Sequence, residues 1–288
     1  MQYKARSIDP AATALAAQAP ELALVVPTLN ERGNIEPFLE LVGSVLEGIA
    51  WEVIFVDDDS RDGTAEAVRR IAQHDPRVRC LQRIGRRGLS TACIEGVLAS
   101  AAPFVAVMDA DLQHDERLLP RMIETLKRES YDLVVGSRYV AGGGLGEWDK
   151  GRAQLSGVAT RLSRIVCKTE IADPMSGFFM MRRGIFEDAM RHLSGHGFKI
   201  LLDLLASSPE PVRLKELPYE FRPRRHGESK LDTLVAWEFG MLLADKLVGH
   251  LVPVRFALFA FIGLLGLGVH LLVLRSALSV PALSFAAA

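Results

Sequence analysis

Apolar runs and helical repeats alternate along the first 140 or so positions of the chain. ELALVVPTL (21–29), WEVIFVD (51–57), VRCLQR (78–83), PFVAVMD (103–109) and YDLVVGS (131–137) are aliphatic and β-branched, and predict strands. Between them, 34–48, 62–74, 89–99 and 116–129 repeat their apolar positions at helical spacing. Strands that alternate with helices predict an α/β fold, a mostly parallel sheet covered on both faces. Further on, the pattern predicts a helix over 152–167, a short strand within DPMSGFFMMRR (173–183), helices over 185–193 and 199–206, and a last strand at 212–221.

The pattern changes near the C-terminus. Residues 233–249 are apolar but carry Glu238, Asp245 and Lys246, which predicts an amphipathic helix lying on a membrane surface. Phe256 to Leu274 contains no formal charge and is bracketed by Arg255 and Arg275. At about 1.5 Å per residue it is long enough for a hydrocarbon core of roughly 30 Å. Gly263, Gly266 and Gly268 thin this helix and would admit a neighbouring one, in this chain or in a second copy. The expected organisation is a loose leader (1–20), an α/β domain (21–231), an interfacial helix (232–250) and a membrane region (251–288) that ends inside a second span. Basic residues before Phe256 predict that the α/β domain lies on the cytoplasmic side.

The 288 residues carry a formal net charge of -1, which gives no support to a nucleic-acid surface. Cys80, Cys93 and Cys167 lack metal-ligand spacing and are expected to be reduced structural thiols.

In parallel sheets, ligands bind at the carboxyl ends of the strands. Each end here carries unusual chemistry. After the first strand comes PTLNE, where Pro27 stiffens the chain and Asn30 and Glu31 follow. After the second comes DDDS, whose Asp57 and Asp58 could accept hydrogen bonds from ribose hydroxyls or a base N–H. Neither a Walker loop nor G-x-G-x-x-G follows the first strand. The fourth strand ends in DADLQ. Asp109 and Asp111 would repel each other without a cation, and with Gln113 they form a hard-oxygen set suited to Mg2+ or Mn2+. His114 is expected at the surface, and Asp115 is expected to cap the next helix. Arg138 in GSRY, Arg152, and Ser156 one helical turn later are candidate phosphate partners. Arg222, Arg224, Arg225 and Lys230 crowd one loop, where either a diphosphate or an anionic lipid surface would suit them.

Taken together, VPTLNE, VDDDSRDGT, DADLQ, GSRY, DPMSGF and RRHGESK resemble the polyprenyl-phosphate sugar synthases of the dolichyl-phosphate mannose synthase type. These are inverting family-2 glycosyltransferases with a GT-A fold. The resemblance covers roughly 22–230, and the apolar tail resembles the start of a GtrA-like membrane domain. It implies a nucleoside pair (Asp57, Asp58), with Asp59 where many relatives have Asn. It implies a metal and diphosphate group (Asp109, Asp111, Gln113). It implies acceptor-phosphate and sugar contacts (Arg138, Arg152, Ser156) and a basic loop over the donor phosphates (Arg224, Lys230). No tryptophan completes the Q-x-x-R-W signature of processive synthases, so a single sugar per lipid is expected. The implied reaction moves one hexose, mannose from GDP-mannose first, onto polyprenyl phosphate at the bilayer. A UDP-glucose or other UDP-sugar donor is the alternative within the fold, and a non-catalytic membrane scaffold is the alternative outside it.

Overall fold

The structure, a computed structural model, describes residues 19–144, 163, 165–195, 199–222, 240–243, 246 and 254–278. The chain divides into two compact units, Met1–Leu242 and Leu243–Ala288.

The first unit is built on a seven-stranded sheet. Its elements are β1 (Leu22–Thr28), α1 (Arg32–Val45), β2 (Trp51–Asp57), α2 (Thr64–Ala72), β3 (Val78–Gln82), α3 (Leu89–Leu98), β4 (Phe104–Val107), α4 (Leu118–Arg128), β5 (Leu133–Ser137), β6 (Phe179–Arg182), α5 (Arg183–Ala189), α6 (Ile200–Ser207) and β7 (Leu214–Pro218). The strand order is β3-β2-β1-β4-β6-β5-β7. All pairings are parallel except those of β6, which runs antiparallel to both β4 and β5. The chain moves outward from β1 through β2 to β3 and returns to β4 on the other side of β1. The crevice this reversal opens at the carboxyl ends of β1 and β4 is the place where such sheets bind ligands.

Strand periodicity sorts the core into two layers. Leu22, Leu24 and Val26 of β1 and Val53 and Phe55 of β2 face one side, where Phe38 of α1, Val68 of α2 and Met122 of α4 cover them. Val25, Ile54 and Val56 face the other side, beneath Cys93 of α3, Phe186 of α5 and Leu201 of α6. The second layer is tight at Gly96, where a Cβ would lie 2.4 Å from Val25 Cγ1 and 2.9 Å from Val56 Cγ2. Helix α3 rests directly on the strands there. The three cysteines are free thiols, and full burial raises the Cys93 pKa well above the usual thiol range.

Element ends depart from the periodicity where polar side chains intervene. Helix α2 begins at Thr64 rather than at 62, because Asp62 stands outside it and accepts from both the Thr64 N–H and its hydroxyl. The last strand is shorter than 212–221, since only Leu214–Pro218 finds a partner along β5.

In the second unit, α7 (Val254–Leu278) has 25 residues. Its window Phe259–Ser276 has a mean hydropathy of 1.9 and no buried share, so this one helix is long and apolar enough to cross a membrane. Most of the expected leader and interfacial helix, and most of the helix expected over 152–167, lie outside the described residues.

Candidate active site

The loops after β1 and β2 are stitched together before any ligand is considered. Pro27 sits within β1, beyond the stretch that pairs with β4, so its missing N–H disturbs no ladder bond on that side. Asn30 takes a left-handed conformation, φ 58°. Its N–H donates to Ser60 Oγ at 2.8 Å, and its Oδ1 accepts from the Arg61 N–H at 3.0 Å. Glu31 follows, with its N–H on Thr64 Oγ1 and its Oε2 accepting from Asn34 Nδ2 at 2.6 Å.

The first two acids of DDDS are turned inward. Asp57 is fully buried and accepts from the Ser60 N–H at 3.0 Å, the Ser60 hydroxyl at 2.5 Å and the Thr28 hydroxyl at 3.3 Å. Asp58 accepts from the Gly88 N–H at 2.7 Å and from Arg83 Nη1 at 2.8 Å. Burial raises the Asp58 pKa, against the pull of Gly88 and Arg83. Arg83, only 2% exposed, is the hub of this corner. It also donates to the Gly88 carbonyl and the Thr91 hydroxyl, and its Nε lies 3.3 Å from Glu95. Nothing in the polar run QRIGRRG marks one arginine for burial, and sequence reasoning missed it. The chain turns at Ile84 and Gly85, where the Arg86 N–H donates to the Arg83 carbonyl, and beyond the turn Gly88 donates to Asp58 while Arg86 pairs with Glu95.

DADLQ reverses direction through Ala110 and Asp111, and Leu112 adopts φ 64°. Asp111 is 5% exposed, and its Oδ1 accepts from the Gln113 N–H at 3.2 Å. The Asp109 side chain is 37% exposed. Gly177 makes room for it, because a Cβ there would lie 2.8 Å from Asp109 Oδ2. Gln113 is bound to the end of the last strand region. Its Nε2 donates to the Arg222 carbonyl and its backbone carbonyl accepts from the Arg222 N–H, both at 2.9 Å. The Arg222 guanidinium then pairs with Asp115 at 2.9 Å and Glu116 at 2.7 Å. Asp115 also accepts from the Arg117 N–H at 3.2 Å, but it does not cap α4 as expected: Arg117 itself is the N-cap, and no side-chain hydrogen bond closes that end.

His114 corrects the sequence reading. It is 2% exposed, not a surface residue. The left-handed Leu112 lets the chain turn it back under the sheet edge, among the rings of Phe178, Tyr219 and Phe221 at 5.2–5.7 Å. Its Nδ1 lies 2.8 Å from Tyr219 Oη and its Nε2 lies 3.2 Å from Asp109 Oδ2.

The donor chemistry of this turn fits a hard divalent cation. Asp109 and Asp111 supply carboxylate oxygens, and among the described residues no three His, Cys, Asp or Glu side chains converge into a full cage. A partial set of this kind suits Mg2+ or Mn2+ that keeps coordination positions for substrate phosphates.

Arg138, just past β5, is held by Asp173. Its Nε and Nη2 each donate to the carboxylate at 2.8 Å, and its backbone N–H donates at 3.2 Å. Asp173 is fully buried and the Arg138 side chain is 10% exposed. Burial opposes the charge on Arg138, and the Asp173 carboxylate more than offsets it, so its pKa rises above the ordinary arginine value. Glu216 on β7 fixes the turn by accepting from the Ala172 and Asp173 N–H groups at 2.7 and 3.0 Å. The fork expected to hold phosphate is thus engaged with a carboxylate. Asp173 could have been suspected from the motif DPMSGF, but its partner could not. Arg152, Ser156, Arg224 and Lys230 lie outside the described residues.

The family model for glycosyl transferase family 2 matches residues 23–190. The chain is 36% identical over 221 residues to a protein of Pyrococcus furiosus named dolichol-phosphate mannosyltransferase, an alignment spanning 76% of this chain and 61% of that one. It is 36% identical over 237 residues to the Saccharomyces cerevisiae protein of the same name, spanning 79% of this chain and 87% of that one. Among solved structures, glucosyl-3-phosphoglycerate synthase of Mycobacterium tuberculosis, in complex with Mn2+, UDP-glucose and phosphoglyceric acid, superposes with a TM-score of 0.56 at 18% identity. That likeness covers 85% of each chain and supports the GT-A-like fold. The matched family segment runs from β1 past the DADLQ turn and Arg138 to the end of α5, so the chain belongs to glycosyl transferase family 2.

Proposed function

We propose that the protein transfers a single mannose from GDP-mannose to a polyprenyl phosphate of the dolichyl type, with inversion at the anomeric carbon. The observation that carries this reading is the acid pair Asp109 and Asp111 at the carboxyl end of β4, in a chain 36% identical to proteins named for that reaction.

In this reading Asp109 and Asp111 would hold Mg2+ or Mn2+, with the Gln113 side-chain oxygen as a further, neutral ligand. The cation, when bound, offsets the negative charge that grows on the departing nucleoside diphosphate. The loops carrying Pro27, Asn30, Glu31, Asp57 and Asp58 form the nucleoside wall. Asp57 and Asp58 act there by holding the loop backbones, since their carboxylates are engaged within the protein. Arg138 contributes positive charge from a fixed position because Asp173 holds its fork. It is assigned to the acceptor phosphate with Arg152 and Ser156, while Arg224 and Lys230 are assigned to the donor diphosphate. A phosphate oxygen of the acceptor attacks the anomeric carbon from the face opposite the diphosphate. The new C–O bond forms as the bond to the β-phosphate oxygen breaks and its electron pair leaves with GDP. The acceptor is already anionic at neutral pH, so orientation replaces deprotonation and no general base is required.

Helix α7 would anchor the protein to the bilayer, as the first part of a GtrA-like domain, with the catalytic unit on the cytoplasmic side. Purified protein with Mg2+ and short polyprenyl phosphate, offered a panel of nucleotide sugars, tests the donor. GDP-mannose should be turned over. Turnover of UDP-glucose in its place would overturn the mannose assignment.

A further inference from the structure

We infer that His114 and Tyr219 form a buried positioning relay that fixes the Asp109 carboxylate for cation and diphosphate binding. The inference rests on the metal-binding role proposed above for Asp109.

A polar ring that is 2% exposed needs partners for both nitrogens. His114 has two, and their chemistry sets the direction of the chain. A carboxylate only accepts, so Nε2 carries the proton that goes to Asp109 Oδ2. In the neutral ring Nδ1 then accepts, and the Tyr219 hydroxyl donates to it at 2.8 Å. Tyr219 is suited to that part. Burial raises its pKa well above the ordinary phenol value, with Asp173, Asp109 and Asp111 adding to the shift and Arg138 opposing it. The hydroxyl keeps its proton, and the imidazole is held in the tautomer that presents a donor to Asp109.

Packing fixes the same atoms. Phe178 and Phe221 stand 5.2 and 5.6 Å from the imidazole centroid, and Phe178 meets Tyr219 edge-on. Gly177 leaves room for Asp109 Oδ2, as no other residue would. A carboxylate held through one oxygen presents its other oxygen in a set orientation. The relay also joins two parts of the site: Tyr219 and Phe221 follow β7, and Arg138 lies 5.6 Å from the Phe221 ring. The strand end that carries the tyrosine therefore supports the donor turn on one side and borders Arg138 on the other.

The test is a binding measurement on the full chain in detergent. Mn2+ affinity is read by electron paramagnetic resonance, alone and with GDP, for wild type, Tyr219→Phe, His114→Gln and His114→Leu. Orienting residues behind a metal ligand typically set affinity by roughly 10- to 100-fold. His114→Leu should fall in that range, Tyr219→Phe should lose several-fold, and His114→Gln, which keeps a donor, should lose less than His114→Leu. If His114→Leu fails to fold, Tyr219→Phe and His114→Gln decide. Lower melting temperatures with unchanged Mn2+ affinity would reduce both residues to packing and overturn the relay. A wild-type protein that binds no Mn2+ even with GDP would overturn the metal reading itself.

Discussion

Asp173→Ala tests the burial argument at the Arg138 corner. The substitution removes the acceptor of three Arg138 bonds, at 2.8, 2.8 and 3.2 Å, and leaves a guanidinium that is 10% exposed. Orphaning one member of a buried ion pair costs about 3–5 kcal/mol. For a domain of this size each kcal/mol lowers the melting temperature by roughly 2–4 °C, so a fall on the order of 10 °C is expected. The pair Arg213–Asp132 is an internal control. Arg213 is 62% exposed there, and Arg213→Ala should leave the melting temperature near that of wild type. The double substitution Arg138→Met with Asp173→Leu should recover most of the stability lost by Asp173→Ala, since neither charge is then stranded. It should remain inactive, because the positioned charge is gone. Scanning calorimetry of the detergent-solubilised protein reads the first effect and sugar transfer reads the second. An Asp173→Ala loss no larger than that of Arg213→Ala would show that water reaches the pair and that burial has been given too much weight.

Three further outcomes are expected. Asp111→Ala should lower turnover by on the order of 100-fold or more while leaving the melting temperature near that of wild type, and EDTA should silence wild type until Mg2+ or Mn2+ is restored. Arg224→Ala should weaken GDP-mannose binding in detergent without anionic lipid; loss of liposome association alone would assign the basic loop to the membrane. Asp75, despite partial burial, is held below the ordinary carboxylate pKa by the Arg77 guanidinium and backbone N–H. Its contribution is therefore full above about pH 5 and is lost as pH falls through the lowered pKa. The stability difference between wild type and Asp75→Asn, followed by urea denaturation, should shrink over that acid range.

Much of the fold is legible because strands and helices leave different periods in the chain. Aliphatic runs such as LALVV and VIFV locate β1 and β2, and the polar clusters after them mark the ligand edge. The insertion of β6 between β4 and β5, antiparallel to both, is not legible, since FMMR carries no sign of its neighbours. The same limit applies within the site. DADLQ announces its acids, yet nothing near it indicates that Tyr219, 105 residues later, completes the shell around His114. Arginines show the difficulty most clearly. Arg83, Arg138 and Arg222 all occur in polar surroundings, where an exposed side chain is the usual outcome. Each is instead paired to carboxylates distant in sequence, and only the folded chain brings those acids to them.

The proposed reaction is tested most directly by the lipid product. Purified protein, Mg2+, GDP-mannose and a short polyprenyl phosphate are incubated together, and the product is examined by mass spectrometry and by NMR of the anomeric centre. The account predicts one mannose per polyprenyl phosphate, in the configuration opposite to that of the donor, with one GDP released for each. A retained configuration, more than one sugar per lipid, or no lipid product with any nucleotide sugar would contradict it.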